Sequence, residues 1–315
     1  HARLAARASL LWDEMTNRLS QVDRPLLARI GALHTMPCRD ALAQLEGSLQ
    51  ETEHDYEVLP PGSVAGRWPE LAIDPPAALF DPHGGRIEAA AAIRALRDDL
   101  EEQIALARVD GLRGEGPGPD VQVLAGPTSV TVRSVIVCAG IETPRLVAPL
   151  GMRIAMDRPL AATRLTFRPA AGETPDIPCI HERSGALAEN ISYLFPGEWG
   201  GLSLGLPSLP EMLTESLLPR IGSVLGAALP GPAWVREAEV AARLEVLDDS
   251  DHDRIELHRQ GPVWAIAGWN MFKHAPAIGE GMAALLAGEP VAALDALPGE
   301  RSDDPTRSGA RRTAE

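Results

Sequence analysis

The spacing of apolar residues predicts several amphipathic helices. In the stretch Glu88–Gln103, Ile93, Leu96 and Leu100 fall on one helical stripe between polar positions. Near the C-terminus, a proline at the first helical position favours a helix start, because the N–H that proline lacks has no partner there. The predicted helices run from the start of the chain to about Leu19, over Arg39–Leu49, from Ser63 to before Pro69, over Glu88–Gln103, over Thr214–Leu229 and over Pro276–Leu286.

Short apolar runs bounded by Gly and Pro predict strands between these helices. The run Val135–Cys138 is uniformly apolar, which is typical of a strand covered on both faces, and it ends at Ala139 and Gly140. From Arg153 to Gly205 the pattern changes to short strands that predict an antiparallel sheet. The other predicted strands are Ile30–Met36, Ala78–Phe80, Ile104–Leu112, Val121–Leu124, Ser129–Val132 and Val263–Ala267.

Composition narrows the class of protein. The chain has 315 residues, of which 45% are hydrophobic, so it can bury a large core. Its net charge of -15 argues against a nucleic-acid partner, which needs a concentrated basic face. No apolar run of membrane-spanning length and no secretory signal is visible, so we expect a cytoplasmic protein. The chain begins at His1 directly in a helical pattern, which indicates a processed or incomplete N-terminus.

Three cysteines, Cys38, Cys138 and Cys179, are an odd number at wide spacing. This pattern fits reduced thiols that pack in the interior better than a disulfide framework, and it has no metal-ligand spacing. The acidic stretch Asp248–Asp253 lacks the glycine and the glutamate of a calcium loop and reads as a solvated turn. No Gly-Lys-Ser/Thr loop occurs in the sequence, so phosphoryl transfer gains no support. We therefore predict no metal site.

Two apolar strands that end in glycine are the candidate functional positions. Glycine lets a ligand approach the backbone, and α/β sheets bind cofactors outside the carboxyl ends of their strands. The segment after Gly268 carries Lys273, the only lysine among 29 Lys and Arg residues, and leads into a helix N-terminus that suits an anion. The alternatives are glycines that serve local turns and a surface lysine retained by chance.

Five segments, taken in order, resemble the D-amino-acid oxidase superfamily, most closely its sarcosine oxidase and N-methyltryptophan oxidase branch. The resemblance extends over nearly the whole chain. The segments are Arg67–Leu71 followed by Ala78–Gly85, then Val135–Gly140, Tyr193–Pro196, Gly201–Gly205, and Ala267–Gly268 with Phe272, Lys273 and Pro276–Glu280.

The resemblance implies an α/β (α+β) fold with two interleaved domains. One is a glutathione-reductase-like FAD/NAD(P)-binding domain, N-terminally incomplete because its first βαβ segment is missing, formed by residues 1–24, 80–146 and 262–296. The other is an antiparallel-sheet substrate domain formed by residues 25–79 and 147–261. Residues 297–315 are expected to be a disordered tail.

The resemblance also implies an FAD-dependent oxidoreductase that transfers a hydride to flavin from the carbon beside an amine nitrogen. The substrate would be an amino acid or N-methyl amino acid. Lys273 would be the catalytic residue that holds the substrate carboxylate beside the flavin. The residues implied to line the cofactor are Val109, Ala139, Gly140, Gly268, Phe272 and Lys273.

Departures from the family pattern leave alternatives open. The Gly-x-Gly-x-x-Gly turn that grips the pyrophosphate is absent, so a second chain or a missing N-terminal segment would complete the FAD site. Ser203 stands where the branch has the lysine that promotes reaction with oxygen, so the enzyme is an oxidase or a dehydrogenase. Arg243 stands where the branch has the cysteine that attaches flavin, which implies noncovalent FAD. Pro207 stands at about the position of the branch's active-site histidine. The alternative function is a flavin-free or partner-dependent binding subunit with the same fold.

Overall fold

A computed structural model describes most of the chain. The described residues are 2–19, 25–71, 73–114, 120–154, 161–167, 176–185, 192–196, 202–206, 237–242, 255–268 and 271–289. The chain divides into two compact units. The first unit comprises His1, Gln103–Pro159 and Arg243–Glu315, and the second comprises Ala2–Glu102 and Leu160–Ala242.

Six α-helices lie in the described residues. The first is amphipathic, and the residues that it buries, Leu4, Ala8 and Trp12, recur every four positions. The helices are α1 (Ala2–Leu19), α2 (Arg39–Gln50), α3 (Ser63–Arg67), α4 (Ala89–Asp99), α5 (Thr143–Val147) and α6 (Ala275–Ala287).

Sixteen strands lie in the same ranges and form four sheets. They are β1 (Leu27–Ala28), β2 (Ala32–Met36), β3 (Glu57–Leu59), β4 (Ala77–Asp81), β5 (Arg86–Ile87), β6 (Gly111–Gly114), β7 (Val121–Ala125), β8 (Thr128–Val132), β9 (Val135–Val137), β10 (Ala161–Phe167), β11 (Cys179–Glu182), β12 (Ser192–Pro196), β13 (Leu202–Leu206), β14 (Glu237–Ala242), β15 (Ile255–Gln260) and β16 (Val263–Gly268). The strand orders are β1-β5, β14-β10-β13-β12-β11-β2-β4-β3, β15-β16-β9 and β6-β7-β8.

The eight-stranded sheet is the centre of the second unit. Leu33, Ile180 and Leu194 lie in register on one face and are almost completely buried. On the other face Met36 and Leu79 pack against α2. Every pairing in this sheet is antiparallel except that of β2 with β11, which is parallel.

The first unit contains a parallel strand pair, β9 with β16, and the antiparallel β6–β8 sheet. Val137, Ala265 and Ala267 point to one face of the pair and share a core with Leu112 and Val121. Alternation along a strand then directs the intervening residues to the opposite face. Ile136, Cys138 and Ile266 lie on that opposite face, where they line a groove described below.

Most predicted elements are confirmed within about two residues, and a few predictions are wrong. Ile104–Asp110 is not a strand, and the strand begins only at Gly111. The uniformly apolar β9 is not covered on both faces, since Ile136 is 37% exposed. All three cysteines are free thiols, as predicted, but Cys38 and Cys138 are exposed and do not pack in the interior. The predicted helix over 214–229 and the predicted tail lie outside the described residues.

The domain boundaries predicted from the resemblance remain a prediction. Among the described helices, none combines the length and the apolarity needed to cross a membrane. The described residues also contain no cluster of three His, Cys, Asp or Glu side chains placed to hold a metal ion.

Candidate functional site

The two glycine-terminated strands end at the same edge of one sheet. In the parallel pair, Val135 lies opposite Val263 and Val137 lies opposite Ala265. The carboxyl ends of β9 and β16 are therefore neighbours, and the chain leaves the sheet there at Ala139 and at Gly268. This edge is the position at which open α/β sheets bind cofactors.

Both strand ends use the backbone freedom of glycine. Gly140 has φ 57° and Gly268 has φ 148°, which are conformations that residues with a side chain rarely adopt. A Cβ on Gly140 would meet no atom within 4 Å, so the backbone angle rather than crowding requires glycine there. Ala139 and Gly140 are exposed, and the Ala139 N–H donates to Thr143 Oγ1 at 3.1 Å. The backbone of this corner is fixed and accessible.

Lys273 lies in a 3₁₀ turn, Met271–His274, that leads directly into α6. The lysine is half-buried, and the neighbouring Phe272 is 40% exposed. His274, the last residue of the turn, is buried at the N-cap position of α6. The structure thus places Lys273 within a few residues of a strand end and beside a helix N-terminus, as the sequence predicts.

Val109 packs against the core of the first unit, which includes Val137 and Ala267. The next residue, Asp110, donates its N–H to the Leu124 carbonyl at 2.8 Å, and its own carbonyl accepts from Arg145 Nη1 at 3.1 Å. Arg145 belongs to α5, the helix that follows Gly140. All the residues predicted to line the cofactor therefore belong to the first unit, and Val109 is linked to the Gly140 corner through α5.

An apolar groove of about 580 Å³ runs between the second face of the β9–β16 pair and α6. Its lining residues are Ile136, Cys138, Ile266, Met271, Phe272, Ala275, Ile278, Gly279, Met282, Ala283 and Leu286. Phe272 is the predicted site residue that lines it, whereas Lys273 and the predicted backbone positions do not. The side chains of Ile136 and Leu286 remain 37% and 48% exposed along it.

Sequence reasoning missed this groove. The alternation of Ile136 and Cys138 with the buried Val137 indicates which residues share a face, but not whether another element covers them. Although Cys138 is exposed along the groove, the apolar side chains around its thiol partly desolvate it and raise its pKa above the ordinary value. A neutral thiol in such a groove behaves as a small apolar group rather than as a nucleophile.

The chain matches the sequence model of a known family over residues 1–285, and that family is the DAO family of FAD-dependent oxidoreductases. The chain belongs to the DAO family. The search of curated proteins gave no significant match.

Solved structures share the fold of this DAO family chain at low sequence identity. Glycine oxidase from Geobacillus kaustophilus has a TM-score of 0.72 and 17% identity, covering 92% of this chain and 80% of its own. L-proline dehydrogenase from P. horikoshii has a TM-score of 0.75 and 16% identity, covering 93% and 80%. NikD, described as an unusual amino acid oxidase essential for nikkomycin biosynthesis, has a TM-score of 0.69 and 20% identity, covering 92% and 80%. The fold is a mixed α/β fold with several sheets.

FAD is the cofactor of the DAO family, and the described residues fit it in part. The exposed backbone at Ala139 and Gly140 allows a cofactor to approach the strand ends. The pyrophosphate of a dinucleotide normally rests on a Gly-x-Gly-x-x-Gly turn between a strand and a helix. No such motif occurs in the 315 residues, so these residues fit the approach of the cofactor but do not supply the usual phosphate-binding turn.

Proposed function

We propose that this protein transfers a hydride to FAD from the carbon beside an amine nitrogen of an amino acid or N-methyl amino acid. The observation that carries the proposal is the edge where β9 and β16 end at positive-φ glycines and where the chain continues to Lys273. The match to an FAD-dependent family over residues 1–285 supports it. So do the names of the structural neighbours, which include an oxidase and a dehydrogenase of amino acids.

Lys273 is the proposed catalytic residue. Its ammonium group is a compact positive charge that binds a carboxylate strongly when it is partly desolvated. The side chain is half-buried, and the turn that carries it runs directly into α6. FAD supplies the hydride acceptor when it is bound, and Lys273 holds the substrate so that the reacting carbon faces that acceptor.

The proposed contacts to the cofactor come mainly from the backbone. Ala139, Gly140 and Gly268 lie at the ends of β9 and β16. Val109 and Phe272 are the other residues that the resemblance implies to contact the cofactor. We propose noncovalent FAD, because the resemblance to the sarcosine oxidase branch puts the attaching cysteine near Arg243, which cannot form that bond. The sarcosine oxidase branch remains part of this proposal.

We further propose that a strand–turn–helix unit outside these 315 residues, on a second chain or a further segment, completes the phosphate end of the FAD site. A parallel strand pair is normally covered on both faces, since each face is apolar. Here α6 covers only part of the second face, and Ile136 and Phe272 remain 37% and 40% exposed. An amphipathic helix about 10 Å wide would bury this surface.

The proposal about the electron acceptor rests on the resemblance at Ser203. This residue is 8% exposed on β13, and it carries no charge with which to stabilise a developing superoxide. We therefore favour a dehydrogenase over an oxidase. The alternative function, a flavin-free or partner-dependent binding subunit, is favoured by the missing phosphate-binding turn.

Replacing Lys273 tests the catalytic role. We expect Lys273→Met to raise KM for an amino-acid substrate about tenfold or more, because a hydrogen bond to a charged group contributes roughly 1.5–3 kcal/mol. Flavin content should stay unchanged, as measured by the visible absorbance. Arg108→Met is the matched control, since it removes a positive charge that is 88% exposed in the same unit. An unchanged KM in Lys273→Met would refute the role.

Replacing Ser203 tests the assignment of the acceptor. Ser203→Lys introduces a cation on β13, and we expect the reduced enzyme to consume oxygen faster than the parent, as measured with an oxygen electrode. Ser184→Lys, a substitution at a half-buried serine beyond β11, is the control for a general effect of added charge. No rise in oxygen consumption would contradict the explanation based on Ser203.

A further inference from the structure

One short helix contacts two of the backbone segments that are proposed to meet FAD. Helix α5 (Thr143–Val147) begins directly after the 3₁₀ turn Gly140–Glu142. Its first residue accepts a hydrogen bond from the corner after β9, and its third residue donates one to the connection before β6. All these elements belong to the first unit. The helix therefore joins the Ala139–Gly140 corner to the segment that contains Val109.

Thr143 holds the corner from the inside. The residue is completely buried, and its Oγ1 accepts a hydrogen bond from the Ala139 N–H at 3.1 Å. The Glu142 N–H donates to the Ala139 carbonyl oxygen at 3.2 Å, so both backbone polar groups of Ala139 are held within the turn. The next residue is Gly140, and glycine loses more conformational freedom on ordering than any other residue. The Thr143 hydroxyl thus orders the backbone where it has most freedom to lose.

Arg145 holds the second segment. Its Nη1 donates to the Asp110 carbonyl oxygen at 3.1 Å, and its Nε donates to Glu142 Oε2 at 2.6 Å. Asp110 is also tied to the turn between β7 and β8, because its Oδ2 accepts from the Gly126 N–H at 2.7 Å. The residue that follows Val109 is therefore fixed by contacts on two sides.

The apolar side of α5 keeps these two contacts at a constant spacing. Leu146 and Val147 are buried in the core that contains Val137 of β9, and Val109 packs against the same core. A shift of α5 would disturb that packing. A site made of backbone groups binds more tightly when its parts are held in the bound geometry beforehand, since less conformational entropy is lost on binding.

We propose that α5 is a clamp that preorganises the FAD site, with Thr143 and Arg145 as its positioning residues. Thr143 sets the corner at Ala139 and Gly140, while Arg145 sets the segment at Val109. The inference rests on the proposed FAD-dependent function, and it gives a part to two residues for which the family resemblance implies none.

The dissociation constant for FAD tests the clamp. It is measured by the quenching of flavin fluorescence, with the longest form of the protein that its gene encodes. Thr143→Val replaces the hydroxyl by a methyl group of similar size, so we expect Kd to rise about fivefold or more. Thr143→Ser keeps the oxygen and should bind FAD within about twofold of the parent.

Thr16→Val is the matched control for Thr143→Val. Thr16 Oγ1 also accepts a backbone N–H at 3.1 Å, from Leu26, but it lies in the second unit. We expect this variant to lose stability and to keep the parent Kd for FAD.

Arg145→Met tests the second contact and should raise Kd about fivefold, because the bond to the Asp110 carbonyl is lost. Glu142→Gln is its control, since it removes the ion pair with Arg145 and leaves the contact with Asp110. We expect this variant to bind FAD within about twofold of the parent.

Hydrogen exchange without FAD separates positioning from a general loss of stability. The Ala139 amide should exchange faster in Thr143→Val than in the parent, because its acceptor is gone. The amides of β16 should keep the parent rate. An unchanged rate at Ala139 would show that Thr143 does not hold the corner.

Two further results would overturn the proposal. One is a parent Kd for FAD in folded Thr143→Val and Arg145→Met variants, because α5 would then serve the fold alone. The other is an equal rise of Kd in Thr16→Val, because lost stability would then explain the effect. If Thr143→Val does not fold, Arg145→Met decides, since that side chain is 50% exposed.

Failure of the proposed function gives a different pattern. In that case FAD binds and the variants weaken it as expected, but no amino acid reduces the bound flavin. A parent protein that binds no FAD in its longest form would reject both the clamp and the function.

Discussion

The uncovered face of the β9–β16 pair makes a quantitative prediction about stability. Ile136 is 37% exposed on that face, whereas Ile255 on β15 of the same sheet is 0% exposed. Truncating a buried isoleucine to alanine removes about three methylene equivalents at roughly 0.8 kcal/mol each and adds a cavity term, so Ile255→Ala should cost about 2.5–4 kcal/mol. Because about a third of the Ile136 side chain is already exposed, Ile136→Ala loses only about two thirds of that burial free energy. No closed cavity forms in this variant, so we expect it to lose about 1–1.5 kcal/mol of unfolding free energy.

The measurement is urea unfolding of the two variants and the parent, followed by circular dichroism, with the midpoint converted to a free energy of unfolding through the slope m. If Ile136→Ala and Ile255→Ala lost equal free energy of unfolding, other residues of this chain would already cover the groove. That result would refute the reasoning on which the proposed docking of a strand–turn–helix unit rests.

Thiol reactivity and glycine substitutions test other parts of the structure. Burial raises the pKa of Cys138 and raises that of Cys179 to about 12, which lowers their thiolate fractions at neutral pH. Iodoacetamide at pH 8 should therefore modify the exposed Cys38 first. Cys138 should react only as the pH rises, and Cys179 should not react below pH ~10. Equal modification rates for the three cysteines in peptide mapping would contradict this order. Gly85→Ala should destabilise the fold by about 2–3 kcal/mol, because the added Cβ would lie 2.0 Å from a backbone oxygen. Gly47→Ala in α2 should stabilise it by about 0.5–1 kcal/mol, because a Cβ there meets no atom within 4 Å and alanine favours the helix. Thermal unfolding of the two variants compares these effects.

Local patterns predict much of the fold. Helical spacing locates α1 and α6, each of which buries several side chains on one face, and it also locates α2 and α4. In α4 the predicted stripe is not the buried face, because Ile93 and Leu100 are 48% and 43% exposed and Ala92 is buried instead. The same reasoning misplaces the strand that begins at Gly111, since the apolar residues before it lie in an exposed connection. An apolar run alone does not distinguish a strand from such a connection, because pairing depends on partners elsewhere in the chain.

The candidate site depends more heavily on contacts that are distant in sequence. The sole lysine and the strand-end glycines are visible in the sequence, because each combines an unusual residue with a local boundary. The ring contact between His34 and His181 is not visible in the sequence, because it depends on the parallel pairing of β2 with β11. The groove is equally hidden, because exposure of Ile136 depends on what covers the sheet.

The visible absorption spectrum tests the central claim, FAD-dependent oxidation of an amine or amino acid, most directly. It should be recorded after incubation with FAD and removal of the excess, for the 315-residue chain and for the longest form of the protein that its gene encodes. We predict that at least the longest form retains a flavin band, and that an amino-acid substrate bleaches this band without oxygen. Failure of both forms to retain flavin would contradict the claim and favour the flavin-free binding subunit.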